Sequence, residues 1–290
     1  MEANVKTADN MDAEAFPMPK KQQVDRVKHV IAVYSAKGGV GKSTLSVNLA
    51  FALQQMGYKT GLLDADIYGP SIPTMLGINQ RPEPDVMGRI KPVTAHKMPL
   101  MSIGFMVEDE QPLVWRGPIL FQVLQQFFHE VRWCGYDEML DYLVIDLPPG
   151  TGDIQLSMAQ QVEVSGAVIV TTPQDVALTD VKRGVALCKL AEVPILGVVE
   201  NMSYFSCGHC GERTDIFATG GAKGVAEKSG VPMLGEVPLV PAIRECGDNG
   251  LPMVEKEPDS EHSKRYREIA QNVIDQVAAK EAAKEAAPEA

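Results

Sequence analysis

Two stretches of this sequence carry residues whose types and spacing could do chemistry. The first is SAKGGVGKST, Ser35 to Thr44. Gly38, Gly39 and Gly41 let the backbone curl around Val40 until successive N–H groups point inward, and a helix beginning near Lys42 adds its positive dipole end. Such a loop suits phosphate. Lys42 would reach the β/γ-phosphates, the Ser43 hydroxyl would hold Mg2+, and Thr44 stands beside them. The common phosphate-loop pattern places a glycine six residues before its lysine, but here that position is Ala36, and a second lysine, Lys37, stands in the turn. A lysine there can project its charge away from its own nucleotide. The second stretch is Cys207-Gly208-His209-Cys210-Gly211. CxxCG makes a knuckle in which two thiolates converge and backbone N–H groups face sulfur.

Two thiolates are half of a tetrathiolate site, and Cys134, Cys188 and Cys246 lie far off in sequence. Twofold symmetry would supply the missing half by bringing two such loops together. A zinc ion shared across that dimer has the same four ligands. A redox pair would want its CxxC at a helix start, which FSCGHCGERTD does not open. Two unliganded surface thiols are the remaining alternative.

Carboxylates supply the rest of a phosphoryl-transfer set. LLDADIYGPS places Asp64 and Asp66 two residues apart at a strand end, and alternation sends both to one side. There a carboxylate can hold the Mg2+ shell, or orient and deprotonate the attacking water; the alternative is a pair of solvated turn acids. In VIDLPPGTGD, Asp146 closes an apolar run and would hold Mg2+ through water. Gly150 would offer its N–H to a γ-phosphate, so the loop would change shape when that group leaves. Asn201, after another apolar run, carries an amide able to match the edge of adenine, though a lone asparagine there is equally a turn residue.

These residues need elements to position them. Val30 to Tyr34 reads as a buried strand, and Leu45, Leu49 and Leu53 continue at helical spacing. Further strands are expected at Lys59–Asp66, Tyr142–Leu147, Ala167–Thr171, Ile195–Glu200 and from Val231. Short strand pieces fall near Lys91–Thr94 and Leu100–Ile103. Helices are expected at Gly117–Trp133, Ile154–Val162, Asp175–Ala191, Gly221–Lys228 and Ser260–Ala279. Long loops are expected at Tyr68–Pro92 and Met202–Thr219, the latter carrying the thiols. The β, α, β, α alternation predicts a doubly wound, mostly parallel sheet in three layers, αβα, with ligands gathered at the carboxyl ends of strands.

The chain has 290 residues and 31.5 kDa, with 45% apolar residues, enough for a large core without disulfides. The organisation expected is a tail at 1–27, a single ATPase domain at 28–279 and a charged, helix-prone tail at 280–290. A net charge of −11 argues against a nucleic-acid surface. Five sparse cysteines, with no apolar leader and no long apolar run, point to a cytoplasmic protein without a membrane partner.

Together KGGVGKST, LLDADIYGPSIP, WRGP, VIDLPPGTGD, VENMSYFSCGHCG and VPLVPAIRE resemble the Mrp/ApbC family of iron–sulfur carrier P-loop ATPases, in the MinD-like deviant Walker A class. The resemblance implies ATP and Mg2+ as ligands, and a [4Fe–4S] cluster bound between two protomers of a homodimer. It further implies delivery to apo-proteins, assembly machinery as the donor, and ATP hydrolysis as a requirement. It assigns Lys37 to the partner's nucleotide, Lys42, Ser43 and Thr44 to phosphate and Mg2+, and Asp66 to the attacking water. Asp146 becomes the Walker B carboxylate, Asn201 an adenine contact, Pro238 and Leu239 base-pocket walls, and Cys207 and Cys210 cluster ligands. A MinD/ParA-like spatial regulator and a zinc-bridged ATPase are the alternatives.

Overall fold

The computed structural model describes residues 21–106, 117–150, 155, 161–207, 209–217 and 220–286. Its centre is β1 (Val27–Tyr34), whose side chains divide between two cores with the period of a strand. Ile31 and Val33 face one core; Val30, Ala32 and Tyr34 face the other. β1 lies between β7 (Leu140–Asp146) and β8 (Gly166–Thr171), parallel to both. The sheet continues on one side through β2 (Thr60–Asp64), β6 (Met98–Ser102) and β5 (Val93–Ala95). On the other side stands β9 (Ile195–Ser206), which pairs with β10 (Arg213–Thr214) and with β11 (Met233–Leu239). Only the β5–β6 and β9–β10 pairings in this sheet are antiparallel among the described residues.

Helices cover both faces, giving three layers. One core takes α1 (Lys42–Gln55), α7 (Met253–Lys256) and α8 (Glu261–Ala286). The other takes α3 (Gly117–His129), α4 (Asp175–Leu190) and α5 (Gly221–Ser229). α1 is buried all round from Leu45 to Leu53, polar Ser46 and Asn48 included, and Leu45, Val47, Leu49, Phe51 and Leu53 are all fully buried between the sheet and α8. Each such side chain contributes about 1.5–3 kcal/mol by burial. The helix that receives the phosphate loop is thus among the most firmly held parts of the molecule.

Several expectations change. Residues 21–27 fall in the expected tail but are packed: the Gln22 N–H donates to Gln161 O (2.7 Å), and Val24 and Val27 are buried. The expected loop at 68–92 contains α2 (Ile72–Met75) and a hairpin of β3 (Glu83–Pro84) with β4 (Ile90–Lys91). The expected loop from Met202 is, up to Ser206, a continuation of β9, because β11 and β10 pair with it as far as Phe205 and Ser206. A further helix, α6 (Pro241–Asp248), follows β11. The helix expected at 154–162 and Trp115–Arg116 of WRGP lie outside the described residues, Gln155, Gln161 and Val162 excepted. No helix among the described residues is long and apolar enough to cross a membrane.

Candidate functional site

The carboxyl ends of β1, β2 and β7 meet the N-terminus of α1, and register decides which side chains converge. Asp146 stands opposite both Val33 and Asp64. Gly39 and Gly41 adopt φ 79 and φ 80, the left-handed region that glycine enters without strain, and so fold the loop back over the start of α1. Lys42 is thereby buried with its ammonium 2.7 Å from Asp146 Oδ2 and 3.2 Å from Asp66 Oδ2. The Ser43 hydroxyl donates to Asp146 Oδ2 (2.6 Å), and the Ser46 hydroxyl lies 2.7 Å from Asp146 Oδ1. A fully buried carboxylate is costly without partners, and here a cation and two hydroxyls surround it.

The two aspartates of LLDAD part company. Asp66 lines the loop cavity and keeps one oxygen on Lys42; burial pushes its carboxyl up, and the Lys42 charge pulls it back. Asp64 does not line that cavity. Its Oδ2 accepts from Ser102 Oγ (3.0 Å) and the Ile72 N–H (3.2 Å), and its Oδ1 from the Asp66 N–H (3.2 Å). In this conformation Asp64 tethers the chain between β2 and α2. Burial first, then the neighbouring Asp146, pushes Asp64 to about 7. Gly150 is likewise tied within the chain. Its N–H donates to Ser35 O (3.0 Å), its carbonyl accepts from the Tyr34 hydroxyl (2.7 Å), and Gln155 holds the carbonyls of Pro148 and Pro149. In this conformation the amide is aimed at β1 rather than at the phosphate side.

Two cavities share Gly41, Thr44, Gly69, Ser71 and Met75. The smaller, 340 Å³, is lined by Gly38, Gly39, Lys42, Ser43, Asp66 and Pro149. The larger, 580 Å³, is walled by Asn201, Met202, Pro238, Leu239, Ile243 and Arg244. A polar cradle opening into a half-apolar chamber has the outline of a nucleotide site. Asn201 sits at the join. Its Nδ2 donates to Val40 O (2.8 Å), and since a carbonyl can only accept, the amide is oriented with Oδ1 left as an acceptor. Lys37 is exposed, its carbonyl held by the Ser35 hydroxyl. The residues present thus fit a magnesium nucleotide.

The thiols stand just beyond the carboxyl end of β9. Beyond Asn201 the strand bulges against β11, where Val237 pairs with Asn201 and Leu239 with Phe205, and Met202 takes φ 55. The strand then runs to Ser206, opposite Arg213. The Cys207 N–H donates to Glu212 O and the Gly211 N–H to Cys207 O (2.8 Å), closing the knuckle, with Gly211 at φ 73. Backbone N–H groups of Cys210 and His209, then the Cys210 side chain, stabilise the Cys207 thiolate and lower its pKa. Cys210 is exposed. Among the described residues no cluster of three or more His, Cys, Asp or Glu forms a metal-binding array. Cys188 and Cys246 are buried, and Cys134 is half-buried.

Four residues of this framework escaped the sequence reading: Tyr34, Ser46, Ser102 and Glu200. Buried Glu200 accepts from the Ser203 hydroxyl (2.6 Å) and from the Ala222 N–H at the start of α5 (2.9 Å), pinning both flanks of the thiol hairpin. Only Ser46 had a readable signal, four residues after Lys42 and so on the same helix face.

Fold and site define a P-loop NTPase of the MinD-like, deviant Walker A type. The family model described as ParA, NUBPL iron-transfer P-loop NTPase, matches residues 26–274, and the chain belongs to that family. It is 51% identical over 255 residues to an iron–sulfur cluster carrier protein of Escherichia coli K12, covering 88% of this chain and 68% of the relative. It is 47% identical over 263 residues to the iron–sulfur cluster transfer protein NUBPL of Dictyostelium discoideum, covering 90% and 80%. Among solved structures it resembles a nucleotide-binding protein from Archaeoglobus fulgidus in complex with ADP (TM-score 0.71, 34% identity, 84% and 94% covered). It also resembles the cell-division ATPase MinD of Pyrococcus furiosus (TM-score 0.63, 25% identity, 85% and 98% covered).

Proposed function

We propose that this protein is an ATP-driven carrier that holds a [4Fe–4S] cluster between two copies of the chain and passes it to apo-proteins. The observation carrying the proposal is that one strand, β9, places Asn201 against the phosphate loop and Cys207 six residues further on, a span of about 20 Å. The pinned Asn201 amide offers its acceptor to the amino group of adenine, whereas the carbonyl of guanine would meet another acceptor. Lys42 and the loop amides bind the phosphates, and Lys37 reaches the partner's nucleotide. Asp66, buried and raised in pKa, orients the attacking water and takes up its proton. Ser43 and Asp146 would hold magnesium, whose charge offsets that of the β/γ-phosphates when it is bound. When the γ-phosphate leaves, the Pro148–Gly150 segment exchanges partners between phosphate and β1.

The cluster is cargo. Each chain offers Cys207 and Cys210 at an exposed hairpin tip, and a twofold partner completes four thiolates. The lowered Cys207 pKa favours the liganding thiolate near neutral pH. Anaerobic reconstitution with iron and sulfide tests this. The parent should hold about one cluster per two chains, a ratio set by that symmetry. Cys207→Ala with Cys210→Ala should hold none while binding ATP as before. Equal iron in the double variant would refute the proposal, and zinc in place of iron in protein purified without oxygen would favour a zinc-bridged ATPase.

A further inference from the structure

Ser46 belongs to none of the motifs that define the nucleotide site, yet its side chain is completely buried one helical turn beyond Ser43. Its Oγ lies 2.7 Å from Asp146 Oδ1 and 3.0 Å from Lys42 O. A hydroxyl has one proton, and the carboxylate, nearer and charged, takes it. Asp146 therefore has its two oxygens served differently. Oδ2 faces Lys42 Nζ and Ser43 Oγ, both groups with a further task at phosphate and magnesium. Oδ1 faces only Ser46 among the hydrogen bonds found for it, and Ser46 has no cavity to turn towards, since neither cavity of the nucleotide site is lined by it.

We propose that Ser46 is a positioning residue: it fixes Asp146 by Oδ1 so that Oδ2 is presented to magnesium when Lys42 and Ser43 turn to the nucleotide. The proposal rests on the reading of Asp146 as the magnesium-side carboxylate. Partners of this kind orient the ligand and raise its affinity for metal, and their loss typically weakens metal binding about 10–100-fold. Ser46→Ala should thus raise the magnesium concentration needed for half-maximal tightening of ATP binding by about tenfold. ATP binding measured in EDTA should stay within about twofold of the parent, because the phosphate amides and the base pocket are untouched.

The experiment is calorimetric titration of ATP with and without magnesium. It compares the parent, Ser46→Ala, Asp146→Asn, and the pair Ser46→Thr and Ser46→Val, which have the same shape and differ by the hydroxyl. Threonine should keep the magnesium response and valine should lose it, a contrast that survives even if alanine unfolds the protein. Valine matching threonine, or Ser46→Ala weakening binding equally in EDTA, overturns the role of Ser46. Asp146→Asn retaining the parental magnesium response would instead overturn the reading of Asp146 itself.

Discussion

The two sites that β9 joins, at Asn201 and beyond Ser206, are built on opposite plans. At the nucleotide site the charged groups around the helix start are buried and have partners within one chain: Lys42 bridges Asp66 and Asp146, and Ser43 and Ser46 add their hydroxyls. At the hairpin end two thiols stand exposed or half-exposed on a knuckle held by backbone bonds. On the proposed reading the first needs only Lys37 from a partner and its parts must exchange partners to work, whereas the second is half a device. A bulge at Met202 lies between them, so a shift at Asn201 has a short covalent route to Cys207. The difference teaches that nucleotide affinity should, apart from the reach of Lys37, be a property of one chain, and cluster retention a property of two.

The largest effect is expected at the nucleotide site. Lys42→Ala should lower hydrolysis by at least about a hundredfold, since it removes a preorganised cation from the transferring phosphoryl group. It should also cost about 3–5 kcal/mol of stability, because Asp66 and Asp146 would be left buried without their counter-ion. The comparison requires that cluster loading of whatever folded protein remains be preserved; parallel loss of iron would show that the ends are not separable. Steady-state hydrolysis, chemical denaturation and iron analysis check the three parts.

Smaller is the effect of Asn201→Ala, which removes one oriented acceptor from the base pocket and one bond to Val40. A loss of about 1–1.5 kcal/mol, near tenfold in ATP dissociation constant, is expected, with discrimination against GTP reduced. An unchanged preference for ATP would remove the base-reading role.

The smallest effect concerns pH. Asp64 is raised from 3.8 to about 7, so the folded state binds its proton where the unfolded chain has released it. Its contribution to stability is therefore greatest below pH 4, falls as pH rises from about 4 to 7, and is level above that. Asp64→Asn, neutral throughout, should flatten the melting-temperature profile between pH 5 and 7.5 relative to the parent. Superimposable slopes would show that Asp64 does not titrate there. Hydrolysis should be affected less than by Asp66→Asn, since Asp64 holds Ser102 and Ile72 rather than facing the cavity.

The sequence carried the sheet, the phosphate loop and the knuckle because each has a local signature: an apolar run, glycines of fixed spacing, CxxCG. It could not separate Asp64 from Asp66, since the alternation that puts both on one side says nothing of Ser102, which arrives from β6. The strand beyond Asn201 was hidden because its partners, β10 and β11, lie later in the chain and the segment itself is only half apolar. Ordering of residues 21–27 depends on a bridge from Gln22 to Val162, a contact across the chain that no local pattern announces. Tyr34 reads as one more core residue until Gly150 is found against its hydroxyl.

The central claim is that neither chain alone owns a full set of sulfur ligands. Anaerobic native mass spectrometry of the reconstituted protein, with ATP, tests it most directly. A species of two chains carrying one four-iron cluster, which Cys207→Ala with Cys210→Ala abolishes, is the predicted result. A single chain retaining four irons and four sulfides would contradict it.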